Sequence, residues 1–428
     1  MSDEISMGDK QNILIVHNYY QIAGGEDVVV ANEKQMLENH GHKVILYTRD
    51  NSELKGMGKL SMGKLFFSTI YNRRTYKEVV ELIKKESVDI VHVHNTLNLI
   101  SPAVYYAAIS CAVPVVQTIH NYRLICPGAT MYRDGAICES CVNCGLSQAI
   151  KHRCYRGSLA QTFTCVVTLL FHRSRGIYKK INYICLTEFG KNTLLKQKGV
   201  FDENKMFIKP NFVAGGREDW SDASKNKCGD NMIPAKQRKN QIVFAGRIDE
   251  TKGVDIMLKA WKVYCNEVIG DSKDNENRKL IICGTGPLED WCKVYIQENG
   301  LSNVVLMGRV EHDEVIRLMS ESRAMILPTR WYEGFPMSVV ESFSVGTPVI
   351  GPDMGNVGAI IEDGRTGYKY EDGNVQDIVD AIKRALDSEV ATDNGADSMN
   401  ESVYKEYLDK YTEDKNYEML MDIYRRCR

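Results

Sequence analysis

Short apolar runs alternate with helical stretches along this chain, and the alternation runs its course twice. That doubled pattern constrains the fold more than any other feature. Asn12–His17, Lys43–Thr48, Asp89–His94, Pro114–Ile119 and Tyr183–Leu186 read as strands. They are continuously apolar rather than alternating, as parallel strands buried on both faces are. Helical spacing at Asp27–Asn39, Lys77–Lys85 and Pro102–Ile109 separates them. After a polar stretch from Val213 to Lys239 the pattern restarts. Gln241–Ala245, Leu280–Cys283, Asn303–Met307, Ala324–Leu327 and Pro348–Ile350 are strand-like. Val254–Val268, Leu288–Asn299, His312–Ser320 and Pro336–Ser344 are helical. Strands joined by helices require right-handed crossovers and parallel sheets. The expected class is α/β, with two Rossmann-like domains whose parallel sheets face one another across a cleft.

The chain's 428 residues exceed a typical single domain of roughly 100–200. The polar stretch reads as a hinge, giving domains 1–212 and 213–403. An amphipathic helical stretch, Tyr404–Arg426, lies in a last segment, 404–428, expected to pack back on the first domain. A net charge of −2 gives no bulk attraction to nucleic acid. Met1–Lys10 shows no secretory signal, and no apolar run approaches the roughly 20 residues that span a bilayer. Thirteen cysteines, an odd number, favour reduced thiols and a cytoplasmic setting.

Two loops carry the chemistry. Gly246–Gly253 follows a strand and precedes a helix, with Arg247 and Lys252 placing two fixed cations there. Such an arrangement suits a diphosphate; a solvated basic loop is the other reading. The strand Ala324–Leu327 leads through Glu333, Gly334, Phe335 and Pro336 into a helix from Met337 that contains Glu341. Pro336 fits a first helical turn, whose free N–H groups can hold an anion. Carboxylates suit sugar hydroxyls because they accept two hydrogen bonds from a vicinal diol. Gly284 and Gly286 also follow a strand, but Glu289 stands where a dinucleotide fingerprint needs its third glycine.

Glu333 and Glu341, eight residues apart, resemble the paired-glutamate signature of retaining GT-B glycosyltransferases, family 4 (group 1) in particular. Gly246-Arg247 through Lys252-Gly253 is similar to that family's basic loop. Gly284 to Glu289 is similar to its Gly-x-Gly-Pro-Leu-Glu turn, and Gly24-Gly25 and His120 match its first half. The resemblance implies a first domain on the acceptor side and a second that binds a nucleotide sugar. It implies sugar transfer from a nucleoside diphosphate to a hydroxyl of a glycan or lipid-linked saccharide, with retention at the anomeric carbon. Arg247, Lys252 and the amides near Gly334–Met337 would stabilise the leaving phosphate, with Gly24-Gly25 contributing. Glu333 would hold sugar hydroxyls, Glu341 the ribose, and His120 the sugar or acceptor. Protein cations would make catalysis independent of a metal cofactor. A nucleotide-sugar epimerase or phosphorylase, or a non-catalytic sugar-nucleotide-binding protein, are the alternatives.

Two further features stand apart. Cys126, Cys138, Cys141 and Cys154 could supply four thiolates to a structural zinc, or be free or buried thiols. Ser140–Thr187 has no acidic residue but contains Lys151, Arg153, Arg156, Arg173, Arg175, Lys179 and Lys180 around the apolar Leu159–Phe171. Lys55, Lys59, Lys64, Arg73 and Arg74 flank Leu65-Phe66-Phe67 in the same way. One reading is peripheral contact with an anionic membrane at its inner face; the other is a solvated basic face over a core helix.

Overall fold

A computed structural model describes residues 10–21, 24–55, 58–213, 232–269, 278–386 and 396–428. Most of the expected hinge, and most of the loop 270–278, lie outside the described residues. The chain divides into two compact units. The first gathers residues 1–131, 139–211 and 416–428; the second gathers 132–138 and 212–415.

The first unit is built on six parallel strands: β1 (Asn12–Tyr19), β2 (Lys43–Asp50), β3 (Ile90–Val93), β4 (Val115–Ile119), β7 (Asn182–Cys185) and β8 (Met206–Ile208). Between β4 and β7 in the chain comes the hairpin of β5 (Tyr132–Arg133) and β6 (Ala136–Ile137), which belongs to the second unit. The sheet order is β2-β1-β3-β4-β7-β8. Ile13 to Val16 of β1 are fully buried, which explains their unbroken apolar reading.

The second unit repeats the plan with β9 (Lys239–Ala245), β10 (Lys279–Cys283), β11 (Val304–Gly308), β12 (Ser322–Ile326), β13 (Val349–Pro352) and β14 (Gly367–Tyr370). All pairs are parallel, in the order β11-β10-β9-β12-β13-β14. Two cores flank this sheet. Ile242, Phe244, Leu280 and Ile282 face one, with Trp261 of the Val254–Tyr264 helix. Val243, Ile281 and Met325 face the other, with Val339, Val340 and Phe343 of the Met337–Ser344 helix. The alternation is the period of two that a strand imposes.

The stretch expected as one helix, Tyr404–Arg426, is two: Ala396–Lys410 and Glu413–Arg426. The break falls at Tyr411-Thr412, where the Thr412 hydroxyl accepts from the Lys415 N–H (3.4 Å), as an N-capping side chain does. Residues 416–428 belong to the first unit. There Asn416 donates to Pro210 O (2.6 Å) and Tyr424 is fully buried.

Candidate functional site

In an open parallel sheet, ligands bind beyond the carboxyl ends of the strands where the strand order reverses. In the second unit that point lies between β9 and β12, the first and fourth strands of its sheet. The loops leaving these two strands are the two singled out by sequence, and they are stitched together. The Arg330 N–H donates to Thr251 O (2.9 Å), and the Thr329 hydroxyl lies 3.1 Å from the same oxygen.

Lys252 and Glu333, 81 residues apart, meet at this seam: Nζ to Oε1 is 2.7 Å. Glu333 is 6% exposed. Its Oε1 also accepts from the Thr329 hydroxyl (2.8 Å) and the Trp331 indole N–H (2.9 Å). A carboxylate this buried needs such donors. Asn356 holds the loop from below, donating to Glu333 O (2.5 Å) and Gly334 O (2.7 Å). Thr329, Trp331 and Asn356 were given no role by sequence reasoning. A Thr and a Trp within four residues of a loop glutamate was the available signal; Asn356 gave none.

Arg247 pairs with Asp249, and its side chain is 69% exposed. Asp249 in turn accepts from the Lys252 N–H (3.0 Å) and the Thr251 hydroxyl (2.7 Å). Both cations therefore have carboxylate partners whose charge is shared with neutral donors. An ammonium has three N–H groups and a guanidinium five, so each keeps capacity for an anion. The Met337–Ser344 helix begins at Pro336, which makes no side-chain cap, so its first-turn amides are not consumed by a side chain. Phe335 packs on the core beside Tyr411. Glu341 is half-buried on this helix, 4.0 Å from His312 Nδ1. Burial raises its pKa against the opposing pull of His312.

In the first unit the corresponding reversal lies between β1 and β3. Gly24 caps the Gly25–Asn39 helix that follows β1, and its N–H donates to Asp27 (2.9 Å). A Cβ at Gly24 or Gly25 would meet nothing within 4 Å. His120 follows β4, and its Nε2 lies 2.9 Å from Nδ1 of His94 at the end of β3. Burial and the neighbouring His94 hold the His120 pKa well below the usual value. His17 lies on β1 and His92 on β3, and His94 follows β3. The fold gathers all three near His120 around a buried Glu33.

Among the described residues, Glu33, His92 and His94 form the one group of three or more acidic, histidine or cysteine side chains within metal-ligating reach of one another. Cys126, Cys138 and Cys154 are half-buried and Cys141 is buried. Of the basic residues, Arg173 turns inward and donates to Leu124 O (2.6 Å), so it leaves the proposed basic face.

Two family models each match part of the chain. Residues 230–406 match Glycosyl transferases group 1, and residues 23–136 match Glycosyltransferase Family 4. An uncharacterized glycosyltransferase of Methanocaldococcus jannaschii is 33% identical over 147 residues, 34% of this chain and 38% of that protein. An alpha-D-kanosaminyltransferase of Streptomyces kanamyceticus is 27% identical over 147 residues, 34% of this chain and 36% of that protein. The matched stretches span little more than a third of these curated relatives. Solved structures align along nearly the whole chain. A glycosyltransferase of Rickettsia africae superposes with a TM-score of 0.66 at 17% identity, over 98% of this chain and 99% of that one. Anabaena HepE in complex with UDP-glucose gives 0.59 at 14% identity, over 96% and 99%. The fold is that of the GT-B glycosyltransferases.

Proposed function

We propose that this chain, whose halves carry a family 4 and a group 1 glycosyltransferase domain, transfers a sugar from a nucleoside diphosphate to a hydroxyl of a glycan or lipid-linked saccharide, with retention of anomeric configuration. The observation that carries this reading is the contact between Lys252 and Glu333 where the second sheet reverses order. As the glycosidic bond breaks, negative charge grows on the terminal phosphate. Lys252, Arg247 and the amides at the start of the Met337–Ser344 helix are fixed donors for that charge. Fixed donors of this kind do the work a metal ion would otherwise do, so the reading is of metal-independent catalysis. Glu333 receives sugar hydroxyls, and Glu341 the ribose. His120, with the Gly24-Gly25 turn, serves the sugar or acceptor.

The test is a thermal-shift screen of nucleoside-diphosphate sugars, followed by product analysis with the one that binds. A donor at a hundred times its Kd stabilises the folded state by about 2.7 kcal/mol. The expected product is free nucleoside diphosphate plus an extended acceptor whose new linkage keeps the donor's anomeric configuration. An isomerised donor with no acceptor product would overturn the reading, and an inverted linkage would overturn retention.

We extend the reading to a lipid-linked acceptor at the cytosolic face of an anionic membrane. No helix of the described residues is long and apolar enough to cross a bilayer. The helices Lys59–Ile70 and Leu159–Ser174 nevertheless expose Phe67, Leu159, Phe163 and Leu170 at 46–71%. Lys64, Arg73, Arg156 and Arg175 are exposed nearby in the sequence. A cavity of about 490 Å³ opens between the two helices, lined by Leu65, Phe66, Phe163 and Arg156. Each cation near an anionic surface adds about 1 kcal/mol of attraction. Vesicles containing phosphatidylglycerol are expected to pull the protein down at low salt, whereas phosphatidylcholine vesicles are not. Phe67→Asp with Phe163→Asp is expected to abolish sedimentation. Equal recovery with both vesicle types would remove the membrane from the proposal.

A further inference from the structure

A buried chain of polar contacts runs through the first unit behind His120. Lys209 Nζ lies 2.7 Å from Glu33 Oε1 and 2.7 Å from Asn416 Oδ1. Both Lys209 and Glu33 are fully buried. Glu33 Oε2 lies 3.1 Å from His94 Nε2 in a bent contact and 3.9 Å from His92 Nδ1, and no hydrogen bond from elsewhere reaches Oε2 or His94 Nε2. His94 Nδ1 then lies 2.9 Å from His120 Nε2.

The protons in this chain follow from what each atom can do. Burial alone would raise the Glu33 pKa, but the Lys209 ammonium, with the His94 N–H beside it, overcomes burial and holds Glu33 well below the usual carboxylate range. An ionised carboxylate only accepts, so the proton of His94 sits on Nε2. A neutral imidazole has one N–H, so His94 Nδ1 must accept. Its partner, His120 Nε2, must therefore donate. That leaves Nδ1 of His120 bare.

We infer that Lys209, acting through Glu33 and His94, locks His120 in the tautomer with a bare Nδ1, so that His120 meets a substrate hydroxyl only as an acceptor. The inference deepens the role given to His120 above and rests on it. Glu33, His94 and Lys209 are positioning residues. Lys209 is the counterion that Glu33 would otherwise find in a protonated His94. An imidazolium at His94 donates from both nitrogens, and His120 would then switch to the Nδ1–H form.

The rings packed against His94 carry no charge at neutral pH. The His92 ring stacks on it with centroids 4.4 Å apart, and the His17 ring meets it edge-on at 6.3 Å. His92 has both nitrogens engaged, by Tyr424 and Thr118, each at 2.7 Å. Burial lowers the His92 pKa to about 3 and the His17 pKa to about 4, although Asp27 bonds to His17. A metal ion held by Glu33 Oε2, His92 Nδ1 and His94 Nε2 would strip His92 of its Tyr424 partner and stand beside the Lys209 ammonium, which already neutralises Glu33. The cation in this cluster is Lys209.

The test is ¹⁵N NMR of histidine-labelled full-length protein, with His120 assigned by the His120→Ala spectrum. The expected wild-type signal is a protonated Nε2 and a bare Nδ1. The Lys209→Met protein is expected to show the opposite tautomer. Its kcat should fall about tenfold, with donor KM changed little. A wild-type Nδ1–H, or stoichiometric metal in the purified protein, would overturn the inference whether or not Lys209→Met folds. If His120→Ala turns over like the parent while the wild-type tautomer is as expected, the lock stands and the substrate contact of His120 falls. The two failures are thus separable.

Discussion

Lys252→Met is expected to lower kcat by about a hundred- to a thousandfold, the range for removing one preorganised donor from a developing oxyanion. Lys252 Nζ sits 2.7 Å from a carboxylate that is itself held by Thr329 and Trp331, so its position is set before any donor arrives. A preset cation costs no reorganisation when charge develops on the phosphate. The donor's diphosphate is charged in the ground state as well, so KM should rise, but by less than kcat falls. Removing Lys252 also leaves Glu333 with neutral donors only. Its 23% exposed partner was partly screened by solvent, so the loss of stability is expected to fall below the roughly 3–5 kcal/mol of a fully buried broken pair. Stopped-flow single turnovers at saturating donor, alongside thermal denaturation, separate the two effects. If the folded variant keeps kcat within about threefold of the parent, Lys252 does not face the leaving group.

The sequence shows why this pair was legible and its setting was not. Lys252 and Glu333 stand in loops marked by glycine, proline and charge just after apolar runs. Residue types of that kind at strand ends are visible without coordinates. That the two loops abut depends on β9 and β12 being neighbours, and strand order leaves no trace in local pattern. The long central strands were read because burial on both faces makes them continuously apolar. β8 has only three residues, and β14 reads Gly-Tyr-Lys-Tyr, too polar at a sheet edge to stand out. The cluster behind His120 was out of reach for a different reason. Glu33 looks like one more charge on a helix, and Lys209 precedes an unremarkable Pro-Asn. Only the fold brings them together across 176 residues. His92 and His94, spaced two apart, shared one side of their strand in the sequence, which was a signal of proximity but not of partners.

Gly253→Ala should cost more stability than any other single methyl added to these loops, about 3 kcal/mol or more. Gly253 has φ +67°, a left-handed conformation that costs alanine about 1–2 kcal/mol. A Cβ there would also stand 1.8 Å from the carbonyl oxygen of Pro328, so backbone has to move. The movement would part the loop after β9 from the loop after β12. It would stretch the bond from the Arg330 N–H to Thr251 O and draw Lys252 from Glu333. Activity should therefore fall in protein that is still folded, below its lowered melting temperature. Gly300→Ala is the matched control. Gly300 has φ +62°, in the same unit, but a Cβ there meets nothing within 4 Å. It should lose only the conformational part, about 1–2 kcal/mol, and keep its activity. Equal melting temperatures and equal turnover for the two variants would mean that the loops do not press together at Gly253. The cation would then lack the fixed seat on which leaving-group stabilisation depends.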